Sequence, residues 1–357
     1  MKIMTVVGAR PQFIKLAPLS KVLRRRHDEI VVHTGQHYDY EMSSVFFKDL
    51  EIPTPDYNLS VGSGTHAFQT GSIMMEFEKV VLKERPDMLV AFGDTNSTLA
   101  ASLVASKVAV PSAHVEAGLR NWDTHFPEEV NRIVADRLAV LNFAPTAQAM
   151  ANLRREGLAD TAKRTGDVMM DCLMQNLGRA RKRAVALKRF GLARKSYLLL
   201  TIHRPDNADD VRRLRKIVAA VSEAGIQTVF PVHPRTQKMM GDPAIKKLIS
   251  EGEILAVDPL GYLDVISVLE GASAVITDSG GIQKEAYIVG TPCITLLDST
   301  PWTETVSAGW NKLIGADVQS LTRAIKTFHP RGGRKKEYGD GNASVKILAE
   351  IEKYFEK

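Results

Sequence analysis

TDSGGIQKEA, residues 277–286, is the stretch that decides how this chain folds. It continues an apolar run, AVITD (274–278), which reads as a strand ending in a turn that opens a helix. The two glycines leave backbone N–H groups uncovered at a helix N-terminus, where the helix dipole favours an anion. Yet the stretch is neither G-x-G-x-x-G nor G-x-x-x-x-G-K-[ST], so neither standard nucleotide motif accounts for it.

Working outward, similar apolar runs recur along the chain. In the first half they are KIMTVV (2–7), IVVHT (30–34), MLVAF (88–92), SAHVE (112–116) and VLNFA (140–144). In the second half they are YLLLTI (197–202), QTVFPV (227–232), EILAV (253–257), AVITD and CITLL (293–297). Helix-length segments separate them, the pattern of parallel sheets covered on both faces. The series breaks between about 168 and 195, where a long basic helical stretch reads as a connector between two doubly wound α/β domains. Ligands of such sheets bind outside the carboxyl ends of the strands, and a crevice between the domains is the expected place. A length of 357 residues agrees with two domains.

Composition excludes more than it assigns. The chain is 44% hydrophobic and 25% charged, ordinary values for a globular protein. Its 47 basic and 41 acidic residues leave +6, a balance that suits anionic ligands without implying nucleic acid. The dense basic runs, RARKRAVALKR (179–189) and RGGRKK (331–336), read as a solvated helix face and a surface loop. Neither is interleaved with aromatic residues, so neither reads as a nucleic-acid site. Cys172 and Cys293 lie far apart among apolar neighbours and read as buried thiols of a reducing compartment. Gly8 and Arg10 come too early for a signal peptide, and no apolar stretch approaches the ~20 residues of a membrane span. A cytoplasmic protein is expected.

Polar residues cluster just after the strands, where a ligand is met. In GARPQFIK (8–15), Arg10 carries a forked cation suited to phosphate and Lys15 follows in the helix that Pro11 begins. FGDTNST (92–98) places Asp94 between a strand and a helix, where Asp94, Thr95 or Asn96 can equally serve as an N-cap. HVEAGLR (114–120) sets Glu116 at a strand end before Ala-Gly, a position less easily read as a cap. FPEEVNR (126–132) puts Glu128 and Glu129 in a first helical turn, where the dipole alone explains an acid. Together Asp94, Glu116 and Glu128 are carboxylates for proton transfer. From the second half, His203 in TIHRPDN (201–207) and His233 in PVHPR (231–235) end two strands beside the Ser279-Gly280-Gly281 turn. Ser279 and the N–H groups of Gly280 and Gly281 suit a phosphate, and Glu285, about one helical turn on, suits ribose hydroxyls. No Walker lysine or Mg²⁺ carboxylate pattern appears, which disfavours phosphoryl transfer.

These residues, in this order, resemble the non-hydrolysing UDP-N-acetylglucosamine 2-epimerase family. The matching segments are GARPQFIKLAP, GDTNSTLA, HVEAGLR, PEEVNR, FAPT, TIHR, PVHPR, TDSGGIQKEA and YGDG (338–341), spread over residues 8 to 341. The resemblance implies a GT-B-like fold of two Rossmann-like domains with the active site between them. It returns the C-terminal helix, ASVKILAEIEKYFEK, to the first domain, giving 1–168 plus 342–357 and 169–341, with hinges near 168–175 and 338–345. The implied reaction inverts C2 of a UDP-2-acetamido sugar without NAD or metal, through elimination of UDP to a 2-acetamidoglucal and its re-addition. Arg10, Ser279, Gly280 and Gly281 would hold the diphosphate, with His203 near it and Glu285 on the ribose. Asp94, Glu116 and Glu128 would be the acid/base carboxylates. A homodimer is implied as well, working on polysaccharide precursors.

Departures from the family pattern bear on the substrate. Where simple UDP-GlcNAc enzymes carry TERPE, this chain has STPWTE (299–304), with Trp302 in place of an arginine. HTGQHYD (33–39), GTHAFQTG (64–71) and GDTNST look closer to the branch acting on UDP-2,3-diacetamido-2,3-dideoxy-glucuronate. Ser72 stands where bacterial UDP-GlcNAc enzymes use an arginine for activation by substrate, so that activation is expected to be absent or altered. A hydrolysing epimerase, a GT-B glycosyltransferase and a non-catalytic nucleotide-sugar-binding or nucleic-acid-binding protein are the competing readings.

Overall fold

The computed structural model describes residues 1–35, 47, 49–183, 185–315 and 317–356. HTGQHYD therefore lies, from residue 36 onward, outside the described residues. The chain divides into two compact units, Met1–Gln175 with Lys336–Lys357, and Asn176–Lys335.

In the first unit the apolar runs become β1 (Lys2–Val7), β2 (Asp28–His33), β4 (Met88–Phe92), β5 (Ser112–Val115) and β6 (Leu141–Ala144). Two short strands, β3 (Tyr57–Asn58) and β7 (Ala162–Arg164), complete a parallel sheet of order β3-β2-β1-β4-β5-β6-β7. Helices cover both faces, so β4 and β5 are buried along their whole length. The core over one face joins Met4, Val6, Val32, Leu89 and Ala91 to Ile73, Phe77, Val104 and Ala105 from helices His66–Glu84 and Asn96–Lys107.

Register matters most for function. Val6 pairs with Ala91 and Phe92 with Val115, so β1, β4 and β5 end level with one another. Gly8, Gly93 and Glu116 therefore emerge along one edge of the sheet.

The C-terminal helix Ala343–Phe355 packs on helix Arg10–Leu23, and Arg26 and His27 pair with Glu352 at 3.0 and 2.9 Å. At its other end the buried Asp171 carboxylate accepts the backbone N–H groups of Ala343 (2.9 Å) and Ser344 (2.7 Å) and the Ser344 hydroxyl. That cap ties the start of helix Val168–Arg183 to the first unit. Hence the division falls at 175/176 and 335/336, where the sequence placed it at 168/169 and 341/342.

The second unit repeats the plan with β8 (Leu198–Thr201), β9 (Thr228–Pro231), β10 (Ile254–Val257), β11 (Ala274–Thr277), β12 (Cys293–Thr295) and β13 (Asn311–Leu313). Their order is β10-β9-β8-β11-β12-β13, again parallel. Thr201 pairs with Thr277, and their hydroxyls meet at 2.6 Å, so the residues after β8 and β11 also share one edge. Cys172 and Cys293 are both buried. Among the described residues no helix is long and apolar enough to cross a membrane.

Candidate active site

At the strand-end edge of the first unit, Gln12 closes the first turn. Its carboxamide oxygen accepts the N–H groups of Gly8 (2.8 Å) and Ala9 (3.0 Å), while its nitrogen donates to the Phe92 carbonyl at 2.8 Å. The ends of β1 and β4 are thereby tied together. Arg10 is the first residue of its helix and half-buried. A cation there opposes the helix dipole, so its placement is not owed to helix stability.

One turn on, the buried Lys15 ammonium pairs with the Glu116 carboxylate. The two side chains are 5% and 6% exposed, so this ion pair is nearly withdrawn from water. Glu116 adopts φ +72°, a left-handed conformation that is uncommon for a residue with a Cβ. Its N–H still donates to the Phe143 carbonyl at 3.2 Å, so the carboxylate is turned aside without leaving the sheet edge. Gly93 faces this pair at φ +64°, and a Cβ on it would stand 2.6 Å from the Lys15 nitrogen. Only glycine fits both the backbone angle and the space.

Asp94 is not a helix cap. Thr95 takes that role for helix Asn96–Lys107, accepting the Thr98 N–H. Asp94 instead receives Arg132 Nε at 3.0 Å and a second guanidinium nitrogen at 2.5 Å. Arg132 also donates to Glu129 at 2.9 Å, and Glu129 accepts the N–H groups of Asn121 and Trp122. Of the paired acids in PEEVNR, Glu129 is thus the buried clamp of the 121–122 turn. Glu128 is half-buried in the same first helical turn. No hydrogen bond or ion pair joins it to Asp94 or Glu116 among the described residues.

Beneath these groups lies a network that sequence reasoning missed. His114 Nδ1 meets Asp136 at 2.6 Å and its Nε2 meets the Gly93 carbonyl at 2.6 Å. Asp136 also accepts Gly118 N–H (3.0 Å) and Arg120 (2.7 Å), and Arg120 reaches Glu156 through two 2.7 Å bonds. Burial pushes the Asp136 carboxyl up, but His114 and Arg120 outweigh it and hold the group below its ordinary value. His114 is 1% exposed on a strand buried along its whole length, so no alternation of polar and apolar residues signalled it.

In the second unit, His203 lies two residues beyond β8, and Asp278, which is wholly buried, directly follows β11. Asp278 accepts the His203 N–H (3.0 Å), His203 Nδ1 (2.8 Å), the Arg204 N–H (3.0 Å) and Asn207 Nδ2 (3.0 Å). Burial again pushes its carboxyl up, and His203, Asn207 and the Arg204 amide hold it below the ordinary value. His233 begins the short helix Pro234–Gln237, accepting the Arg235 N–H, and its ring centre lies 5.6 Å from that of His203. The structure therefore brings these two histidines together.

Ser279 caps helix Gly280–Val289, its hydroxyl oxygen accepting the Ile282 N–H at 3.4 Å. The hydroxyl proton remains available to a ligand. The N–H groups of Gly280 and Gly281 stand in the helix's first turn, where no intrahelical acceptor exists. A Cβ on Gly280 would lie 3.3 Å from the Trp302 indole nitrogen, so the indole edge borders this turn. Under the ring, the buried Lys284 ammonium sits 4.0 Å from its centre, within cation–π range. Gln283 fixes the neighbouring loop by accepting Thr300 (2.8 Å) and Asn311 (3.1 Å). Glu285, expected at the ribose, is on this helix but only 2% exposed.

The described basic side chains of both runs are exposed, as expected of a solvated helix face and a surface loop, though each run also supplies an anchor. Arg334, from RGGRKK, donates to the Tyr287 (2.8 Å) and Ile288 carbonyls at the C-terminal end of helix Gly280–Val289. Arg181, from the other run, pairs with Glu270 at 2.6 Å.

Comparison with known proteins follows the same lines. The family model described as UDP-N-acetylglucosamine 2-epimerase matches residues 21–352. The chain is 45% identical over 351 residues, 98% of each chain, to a UDP-N-acetylglucosamine 2-epimerase homolog of Methanococcus maripaludis. It is 44% identical over 367 residues to the UDP-2,3-diacetamido-2,3-dideoxy-D-glucuronate 2-epimerase of Pseudomonas aeruginosa, covering 99% of this chain and 100% of that one. Among solved structures, the Methanocaldococcus jannaschii UDP-GlcNAc 2-epimerase in complex with UDP-GlcNAc and UDP aligns with a TM-score of 0.92 at 40% identity, over 99% of both chains.

Proposed function

Because the chain belongs to the UDP-N-acetylglucosamine 2-epimerase family, with its GT-B-like fold, we propose that it inverts C2 of UDP-GlcNAc to give UDP-ManNAc. One carboxylate removes the C2 proton while the C1–O bond to UDP breaks, leaving a 2-acetamidoglucal and UDP. A second carboxylic acid then protonates C2 from the opposite face as a UDP oxygen bonds again to C1.

The observation that carries this reading is the pair of carboxylates on one sheet edge in unlike surroundings. Glu116 is buried against Lys15, and Asp94 is partly exposed against Arg132. Acid/base chemistry needs carboxyl groups whose environments differ in this way. Glu128 is the third member of the proposed set. Arg10, Ser279 and the amides of Gly280 and Gly281 take the diphosphate, where preorganised donors are worth most as charge develops on the leaving group. His203, with His233 beside it, faces that charge, and Glu285 is assigned to the ribose.

Proton NMR of UDP-GlcNAc with the protein in D₂O tests the reading. Deuterium at C2 with a UDP-ManNAc anomeric signal is expected; UDP bound without exchange would remove it. Free N-acetylmannosamine would mark a hydrolysing enzyme, and sugar transfer to an acceptor a glycosyltransferase.

The Trp302 indole at the Gly280 turn favours a second reading, with UDP-2,3-diacetamido-2,3-dideoxy-glucuronate as substrate. A neutral ring donor beside the diphosphate leaves one fewer cation there than an arginine supplies. Competition between the two nucleotide sugars for turnover decides between them. The proposal extends to a cytoplasmic homodimer supplying polysaccharide precursors, for which sedimentation and cell fractionation are the tests.

A further inference from the structure

We propose that Asp278 is a positioning residue of this active site, acting through His203. The inference rests on the reading of His203 as a group that faces the diphosphate.

Asp278 is an odd choice for its place. It directly precedes the Ser279-Gly280-Gly281 turn, where a carboxylate repels an anion, and the capping role there already belongs to Ser279. Its four donors explain how the charge is tolerated, and one of them explains why it is there. The His203 ring donates Nδ1–H to Asp278 at 2.8 Å. The ring itself is 40% exposed while Asp278 is 0% exposed. With Nδ1 held inward, Nε2 is left on the exposed side. A buried carboxylate on one ring nitrogen fixes the tautomer and the plane of an imidazole and stabilises the imidazolium.

The dyad is anchored beyond the single bond. The His203 N–H also donates to Asp278, so the backbone and the ring of one residue share one acceptor. Asn207 Nδ2 donates to the same carboxylate, and its oxygen receives Arg213 Nε at 2.6 Å. Because β8 and β11 are adjacent and in register, the ring and its carboxylate come from neighbouring strand ends. As UDP departs, Asp278 keeps Nε2 aimed where negative charge appears.

Nitrogen-15 NMR of histidine-labelled wild-type protein reads the dyad without any substrate. A hydrogen-bonded Nδ1–H on His203 is expected, and a ring protonated only at Nε2 would overturn the proposal with no variant needed. In Asp278→Asn the tautomer populations of His203 should shift; an unchanged His203 spectrum in a folded variant counts against it. Kinetically, Asp278→Asn should lower kcat roughly 10²-fold with KM moving less than about threefold. Added to His203→Gln, it should cost nothing further, since both substitutions remove one action. Losses that multiply would show Asp278 acting independently of His203, as a purely structural anchor does. A wild type without turnover sinks the proposed function instead, and a His203 Nε2 signal unmoved by added UDP then overturns the positioning role too.

Discussion

The Lys15 ammonium and the Glu116 carboxylate form a buried ion pair across 101 residues of sequence, joining helix Arg10–Leu23 to the end of β5. Removing one partner of such a pair leaves an uncompensated charge away from water, at a cost of about 3–5 kcal/mol. Lys15→Met is therefore expected to lower stability by that amount in denaturant titration. Glu116→Gln, which keeps the shape, should abolish C2 exchange while leaving UDP affinity within about tenfold. Full deuterium exchange in Glu116→Gln would remove Glu116 from the acid/base set.

Gly93 carries a second expectation. Its φ of +64° costs a residue with a Cβ about 1–2 kcal/mol, and the added methyl would meet the Lys15 nitrogen at 2.6 Å. Gly93→Ala should thus lower both the thermal midpoint and kcat, because the ammonium must shift to admit the methyl. A variant with wild-type kcat would show that the pair tolerates displacement.

Acid stability follows from the buried aspartates. Asp136 and Asp278 are held below their ordinary values by their partners, against the upward push of burial. A carboxyl lowered in this way stabilises the fold above its unfolded value of about 3.9, and the stabilisation fades as pH falls through that value towards the folded one. Asp171 has the opposite sign, since burial raises it, and protonation relieves its cost. Two groups against one predict a thermal midpoint that drops below about pH 4, with Asp136→Asn flattening the acid limb. Calorimetry from pH 7 to 3 measures it, and a flat profile in the wild type contradicts the assignment.

Ser72 lies on helix His66–Glu84 where relatives activated by their substrate are expected to carry arginine. A hyperbolic rate curve with UDP-GlcNAc is the expected outcome, read from initial rates over a wide concentration range. Sigmoidal activation would show that another side chain supplies the cation.

Arg10 ties binding to chemistry. If its guanidinium holds the diphosphate, Arg10→Ala should weaken UDP binding and turnover together, by about 1.5–3 kcal/mol for a hydrogen bond to a charged group. Calorimetric titration with UDP showing unchanged affinity would place Arg10 elsewhere.

Much of this was legible before any coordinates. Ten strands were readable because each is a short apolar run between turn residues, and their observed bounds differ from the read ones by one or two residues in most cases. The three strands that were not read, Tyr57–Asn58, Ala162–Arg164 and Asn311–Leu313, are two or three residues long, and the outermost strands of a sheet need no apolar run on both faces. Asp94, Glu116, His203 and Ser279 were readable because each follows a strand. Their partners Arg132, Lys15 and Asp278 were quoted within motifs, but no spacing announces which cation meets which acid.

Local periodicity and backbone sterics set the alternation of strand and helix, the strand-end positions of the polar residues and the Ser-Gly-Gly turn, and all three can be read from the residues alone. Folding in three dimensions settles that Thr95 caps the helix and leaves Asp94 to Arg132, that Glu129 rather than Glu128 is buried, and that Asp278 turns inward to His203. Those choices depend on parallel register, which brings His203 and Asp278 onto one edge from 75 positions apart, and on burial, which makes each charge find a partner.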